Sequence, residues 1–182
     1  MPPSDDTRPS VALIGFRGAG KTTVGRILSR MTGLPLIDTD EWIAAQTGLT
    51  LAEIFRLKGE AEFRRLEVAA VTAACAASPA ILSVGGGAIE DGESVRRLRA
   101  VAKVVWLRAG ERTLQARIDT DPLTESHRPA LAGTDSPAQV RETLNRRTPL
   151  YAAAADVTMD TDGVEPEGVA ARVVERLRLS GP

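Results

Sequence analysis

The stretch Gly15-Phe16-Arg17-Gly18-Ala19-Gly20-Lys21-Thr22 constrains this chain more than any other, because it fits the pattern G-x-x-x-x-G-K-[ST]. The apolar run Val11-Ala12-Leu13-Ile14 stands directly before it, and residues 22–31 follow as a helix, with Val24, Ile27, Leu28 and Met31 at helical spacing. A strand feeding a glycine-rich turn and then a helix aims backbone N–H groups and the positive end of the helix dipole at one point. An anion belongs there. The glycines let the backbone wrap it, Lys21 can reach the outer phosphates, and the Thr22 hydroxyl can ligate Mg²⁺. A nucleoside triphosphate site follows.

Further short apolar runs at 34–37, 80–84, 101–107 and 156–159 alternate with helical segments. The first four runs of the chain show little polar alternation, which is the signature of a parallel sheet covered by helices on both faces. The expected fold is therefore a three-layer α/β/α domain with a five-stranded parallel sheet, spanning 10–178. Thr50-Leu51-Ala52-Glu53 and Ser136-Pro137-Ala138-Gln139 read as capping boxes that open helices. Residues 60–77 read as helix with Phe63, Leu66, Ala70 and Ala74 on its buried face. Residues 118–135 lose periodicity and read as a long mobile loop, while 1–9, rich in Pro, Asp and Ser, read as a disordered tail.

In such sheets ligands bind beyond the carboxyl ends of the strands. One strand ends in Asp38-Thr39-Asp40, where spacing of two puts both carboxylates on one side of an extended chain; one suits Mg²⁺ and the other a hydroxyl proton. Capping of the next helix is the alternative. Another strand ends in Gly85-Gly86-Gly87, which admits either a close-lying ligand or a simple sharp turn. Arg64 and Arg147 are each compatible with a solvated salt bridge, but converging guanidiniums would suit a carboxylate. Arg128, in the mobile stretch, can close over a transferring phosphate, and the neighbouring His127 reads as solvated.

In this order, the motifs Gly-Phe-Arg-Gly-Ala-Gly-Lys-Thr-Thr-Val-Gly-Arg, Ile-Asp-Thr-Asp, Phe-Arg-Arg-Leu-Glu, Gly-Gly-Gly-Ala-Ile, Arg-Pro-Ala-Leu-Ala-Gly and Arg-Thr-Pro-Leu-Tyr resemble the shikimate kinases. The resemblance runs over about residues 11–159. It implies MgATP-dependent phosphorylation of the 3-hydroxyl of shikimate, in the route to chorismate and aromatic amino acids. It also implies the nucleoside-monophosphate-kinase type of P-loop fold, with a substrate-binding segment near 39–67 and a lid near 118–134. Carried across, Gly15, Gly18, Ala19, Gly20, Lys21, Thr22 and Thr23 hold the nucleotide, and Thr22 and Asp38 serve Mg²⁺. Asp40 binds substrate hydroxyls and is the candidate base, Arg64 and Arg147 hold the carboxylate, and Gly86 and Gly87 line the sugar site. Arg128 becomes the lid arginine. Departures are Ala130 in place of a frequent leucine, no arginine within 119–122, and Val164 where some relatives carry an adenine-stacking arginine.

The rival readings are a gluconate or nucleoside monophosphate kinase on the same fold, and a non-catalytic ATP-binding regulator. The net charge of −1 provides no field for nucleic acid or an acidic membrane surface. The single cysteine, Cys75, fits a reduced cytoplasm, and the chain reads as a monomer.

Overall fold

In the computed structural model, which describes residues 10–120 and 136–179, the apolar runs pair into one sheet. Its five strands are all parallel and run in the order β2-β3-β1-β4-β5. They are β1 (Ser10–Ile14), β2 (Leu36–Asp38), β3 (Ile81–Ser83), β4 (Ala102–Arg108) and β5 (Val157–Asp160). The helices are α1 (Lys21–Thr32), α2 (Thr39–Thr47), α3 (Leu51–Ala76), α4 (Gly92–Val101), α5 (Glu111–Thr120), α6 (Pro137–Ala154) and α7 (Pro166–Leu177), with a 3-10 turn at Ala88–Glu90.

The period-two geometry of a strand sends alternate side chains to opposite faces, and both faces are covered here. Val11, Leu13, Val105 and Leu107 join Val24, Ile27 and Leu28 of α1 and Val169 and Val173 of α7 in one core. Their strand neighbours Ala12, Ile14, Val104 and Trp106 join Val71 and Ala74 of α3 and Leu98 of α4 in a second. The three-layer α/β/α expectation is met. A third cluster, built from Ile43, Ile54, Phe63 and Leu66, ties α2 to α3.

Register decides where the site forms. Leu13 stands opposite Ser83 and Val105, and Ser83 stands opposite Asp38. The carboxyl ends of β1, β2 and β3 therefore finish level, and their following loops converge.

The structure corrects several boundaries. The strand expected at 34–37 begins at Leu36, since Pro35 has no N–H and joins the sheet only through its carbonyl, which accepts from Ile81 N at 2.8 Å. Val101 ends α4 rather than opening β4. The helix opened by the Thr50 box and the one expected over 60–77 both form, run together as α3 and separated only by the non-helical Gly59 (φ 80°, ψ 173°). Met31, at helical spacing with the buried Val24, Ile27 and Leu28, is itself 38% exposed. Residues 118–120, assigned to the loop, are the last turn of α5, and Ile118 is core. The rest of that loop, including His127, Arg128 and Ala130, lies outside the described residues, as does the 1–9 tail.

The Thr50 capping box is complete: Thr50 Oγ1 accepts from Glu53 N at 3.2 Å, and Glu53 Oε2 accepts from Thr50 N at 2.8 Å. Thr50→Ala is expected to lower stability by about 1 kcal/mol in urea unfolding. At the start of α6, Ser136 Oγ accepts from Gln139 N at 3.4 Å and pairs with Gln139 Oε1 at 2.8 Å. No helix among the described residues is long and apolar enough to cross a membrane.

Candidate active site

β1 delivers the chain straight into the glycine-rich loop. Gly15 lies at φ +147°, and a Cβ there would sit 2.5 Å from the Leu107 carbonyl oxygen, so the loop can press against β4 only with glycine at this position. Gly20 caps α1 in the left-handed region (φ 91°) with no side-chain cap hydrogen bond, which leaves the first-turn N–H groups available to an anion. Lys21 is buried, and its Nζ donates to Gly15 O at 2.8 Å and Phe16 O at 3.0 Å. The ammonium is thus held over the hollow that the loop encloses.

Asp38 caps the next helix and also meets Thr22. Its Oδ1 caps α2 by accepting from Asp40 N at 2.9 Å and Glu41 N at 3.3 Å, while its Oδ2 accepts from Thr22 Oγ1 at 2.7 Å. Ser83 Oγ lies 3.5 Å from the same Thr22 oxygen. The expectation that Asp38 and Asp40 share one side of an extended chain fails, because β2 ends at Asp38 and Asp40 stands in the first turn of α2. The two carboxylates point to different work. Asp38 faces Thr22, and an Asp40 oxygen lies 2.9 Å from where a Gly85 Cβ would be.

These groups line a cleft of about 900 Å³ that also takes in Arg17, Arg117, Thr161 and Pro166. Asp40, Thr50 and Leu51 stand on one side of the phosphate loop, and Arg117, Val164 and Pro166 belong to the other flank.

The glycine triplet is a crossing point rather than a turn alone. A Cβ on Gly86 would meet Gly15 O at 3.3 Å and the Tyr151 hydroxyl at 3.5 Å, so the triplet packs against the phosphate loop itself. A Cβ on Gly87 would collide with Arg64 Nη1 and come within 3.3 Å of Arg147 Nη2. Arg64 of α3 and Arg147 of α6, distant in sequence, therefore converge over Gly87, while Asp40 approaches the same segment at Gly85. Tyr151 Oη, fully buried, donates to Gly86 O at 2.7 Å and fixes the triplet to α6.

The two arginines are balanced by carboxylates. Glu67 accepts from Arg64 Nη1 at 2.6 Å. Burial pushes the Glu67 carboxyl above its usual range, against the opposing charge and hydrogen bond of Arg64. Glu90 is also desolvated, yet the hydrogen bond from Arg147, with the charges of Arg147, Arg146 and Arg64, holds its carboxyl below the usual range.

With this geometry in view, the comparisons are decisive. The family model described as shikimate kinase matches residues 17–178. This chain belongs to the shikimate kinase family. It is similar to the shikimate kinase of Moorella thermoacetica, with 41% identity covering 93% of this chain and 94% of the other, and to that of Symbiobacterium thermophilum, with 38% identity covering 94% and 98%. Among solved structures, the shikimate kinase of Acinetobacter baumannii in complex with shikimate superposes with a TM-score of 0.88 at 30% identity, covering 95% of this chain and 94% of that one. The family uses ATP as co-substrate, and the P-loop kinase fold expected from the sequence is the one observed.

Of the residues expected to form the site, the structure brings Gly18, Ala19, Gly20, Lys21, Thr22, Thr23, Asp38 and Asp40 around one cleft, and Arg64, Arg147, Gly86 and Gly87 into the adjoining cluster, with Gly15 packed against Gly86 rather than lining the cleft. Arg128 lies outside the described residues. Sequence reasoning passed over Glu67, Glu90 and Arg117 as parts of the site. Arg117 Nη1 donates to Gly18 O at 3.2 Å and Thr161 Oγ1 at 3.1 Å, with Nη2 on Thr161 O at 3.0 Å. Its position between Leu114 and Ile118, both core residues on the same helix, is the signal that it flanks a buried face.

Proposed function

We propose that this chain transfers the γ-phosphoryl group of ATP to the 3-hydroxyl of shikimate, with Asp40 orienting and deprotonating that hydroxyl. The observation that carries this reading is the convergence of Asp40, Arg64 and Arg147 on Gly85–Gly87, in direct packing contact with the first glycine of the phosphate loop. A carboxylate-bearing alcohol anchored by two guanidiniums then presents its hydroxyl toward Asp40 and the phosphate hollow at once. A gluconate or nucleoside monophosphate kinase has no equal use for that arrangement.

The phosphates occupy the loop, so the flank bounded by Arg117, Thr161 and Pro166 is left for ribose and base. Lys21 and the α1 N-terminus offset charge on the phosphoryl group in flight, a task that the family resemblance extends to Arg128. Mg²⁺ fits the donor set of Thr22 and Asp38: two hard oxygens suffice for an ion that keeps water and phosphate as its other ligands. When bound it would neutralise phosphate charge. The single cysteine supports work in the cytoplasm, the modest net charge supports small-molecule substrates without nucleic acid or membrane, and the lack of a long amphipathic stretch in the sequence supports a monomer.

The test is ADP release from MgATP with and without shikimate, with Lys21→Ala as control. Release that depends on shikimate and is lost in the control is the expected result. ATP bound without response to shikimate would leave the fold reading intact and sink the substrate reading.

A further inference from the structure

The cluster that would receive the substrate carboxylate already contains one of the protein's own. Glu90, in the 3-10 turn just after Gly87, accepts from Arg147 Nη2 at 2.9 Å through Oε2. The same oxygen lies 3.8 Å from Arg64 Nη2, and Oε1 lies 3.1 Å from Arg146 Nη2. Glu90 thus spans the two guanidiniums in the manner of a ligand carboxylate. The guanidiniums of Arg64, Arg146 and Arg147 face the carboxylates of Glu60, Glu67 and Glu90, so the cluster is neutral before any ligand arrives.

Glu67 and Glu90 differ in kind. Glu67 is buried and makes the short bond that holds Arg64. The side chain of Glu90 is 24% exposed on a single turn, whereas that of Arg147 is only 12% exposed and packs beside Gly86 and Tyr151, so the arginine has contacts besides Glu90 to hold it. Among the described residues the buried Nε of Arg147 has no hydrogen-bond partner, which leaves its Nε–Nη2 edge half filled, with Glu90 on Nη2 alone. A planar carboxylate is the group that completes such an edge, and to do so it must take Nη2 from Glu90.

We propose that Glu90 is an internal competitor for the substrate carboxylate and so sets the affinity of the arginine pair, being displaced toward Arg146 and solvent when substrate binds. This rests on the reading that Arg64 and Arg147 receive the carboxylate of shikimate. Binding then exchanges one charge-assisted bond for another, and the gain per substrate is smaller than two unopposed arginines would give.

The test is steady-state kinetics of wild type, Glu90→Gln and Glu90→Ala. In both variants the KM for shikimate should fall about three- to tenfold, with kcat and the KM for ATP within about twofold of wild type. A shikimate KM that is unchanged or raised in both would overturn the proposal, a rise meaning that Glu90 holds Arg147 in place. Wild type that ignores shikimate would sink the substrate reading instead. The Glu90 assignment is then judged by a thermal-shift titration with sodium malonate: protection of Glu90→Gln at about three- to tenfold lower concentration supports it, and equal or weaker protection overturns it.

Discussion

Replacing Asp40 with Asn should lower kcat for shikimate phosphorylation by about a hundred- to ten-thousandfold while leaving ATP affinity nearly unchanged. The magnitude is that of a removed general base. The side chain keeps its volume, so its packing against Gly85 survives, and the cap of α2 is untouched because Asp38 supplies it. In the proposed assignment the nucleotide contacts fall on the phosphate loop, Thr22 and Asp38, and the Thr22–Asp38 bond and the α2 cap are made without the Asp40 side chain. Calorimetric titration with ATP together with steady-state turnover separates the two effects. Near-normal turnover in Asp40→Asn would remove Asp40 from the reaction and leave the hydroxyl proton to the departing phosphate or solvent. Loss of ATP affinity in step with turnover would instead mark Asp40 as part of the nucleotide and metal site.

That division of labour was only half legible in the sequence. Glycine spacing, an apolar run before it and a helix after it are local signals, and the phosphate loop emerged from them with its neighbours in the right order. Four of the five strands announced themselves as apolar runs because a sheet buried on both faces leaves little polar alternation to confuse the pattern. Separate tasks for Asp38 and Asp40 could be assigned from the motif and the resemblance, but their geometry was hidden, since β2 ends at Asp38, whose carboxylate caps the next helix, and Asp40 already stands in the first turn of that helix. The carboxylate cluster was hidden for a different reason. Arg64 and Glu67 are neighbours at helical spacing on α3, but Glu90 and Arg147 come from two other elements, and no spacing rule connects residues that meet only after α3 and α6 have packed against the turn that follows β3. Each taken alone looks like an ordinary surface charge. The resemblance to a known family supplied the pairing of the two arginines, while the part of Glu90 became visible only in three dimensions.

The glycine triplet offers the sharpest test of that three-dimensional part. Gly87→Ala is expected to raise the KM for shikimate by about ten- to a hundredfold while the KM for ATP stays close to wild type and the protein still folds, at a cost in stability confined to drawing Arg64 away from the buried Glu67. A Cβ at this position falls on Arg64 Nη1, 3.1 Å from Glu67 Oε1 and 3.3 Å from Arg147 Nη2, so the nearest obstacles are side-chain ends rather than backbone. The Gly87 backbone is in the ordinary right-handed region (φ −90°, ψ −18°), which alanine adopts without strain. Folding therefore tolerates the change, and the arginine absorbs it by withdrawing. A guanidinium pushed off its position forfeits about one charge-assisted hydrogen bond to the carboxylate, on the order of 1.5–3 kcal/mol, which is the stated range in KM. Gly15→Ala provides the contrast. Its Cβ would strike the Leu107 carbonyl oxygen of β4, which cannot swing aside, and its φ of +147° disfavours any side chain. That change should damage the phosphate loop and ATP binding together. If Gly87→Ala instead weakened both substrates alike, the triplet would be a structural turn, and the sugar site would have to be sought elsewhere in the cleft.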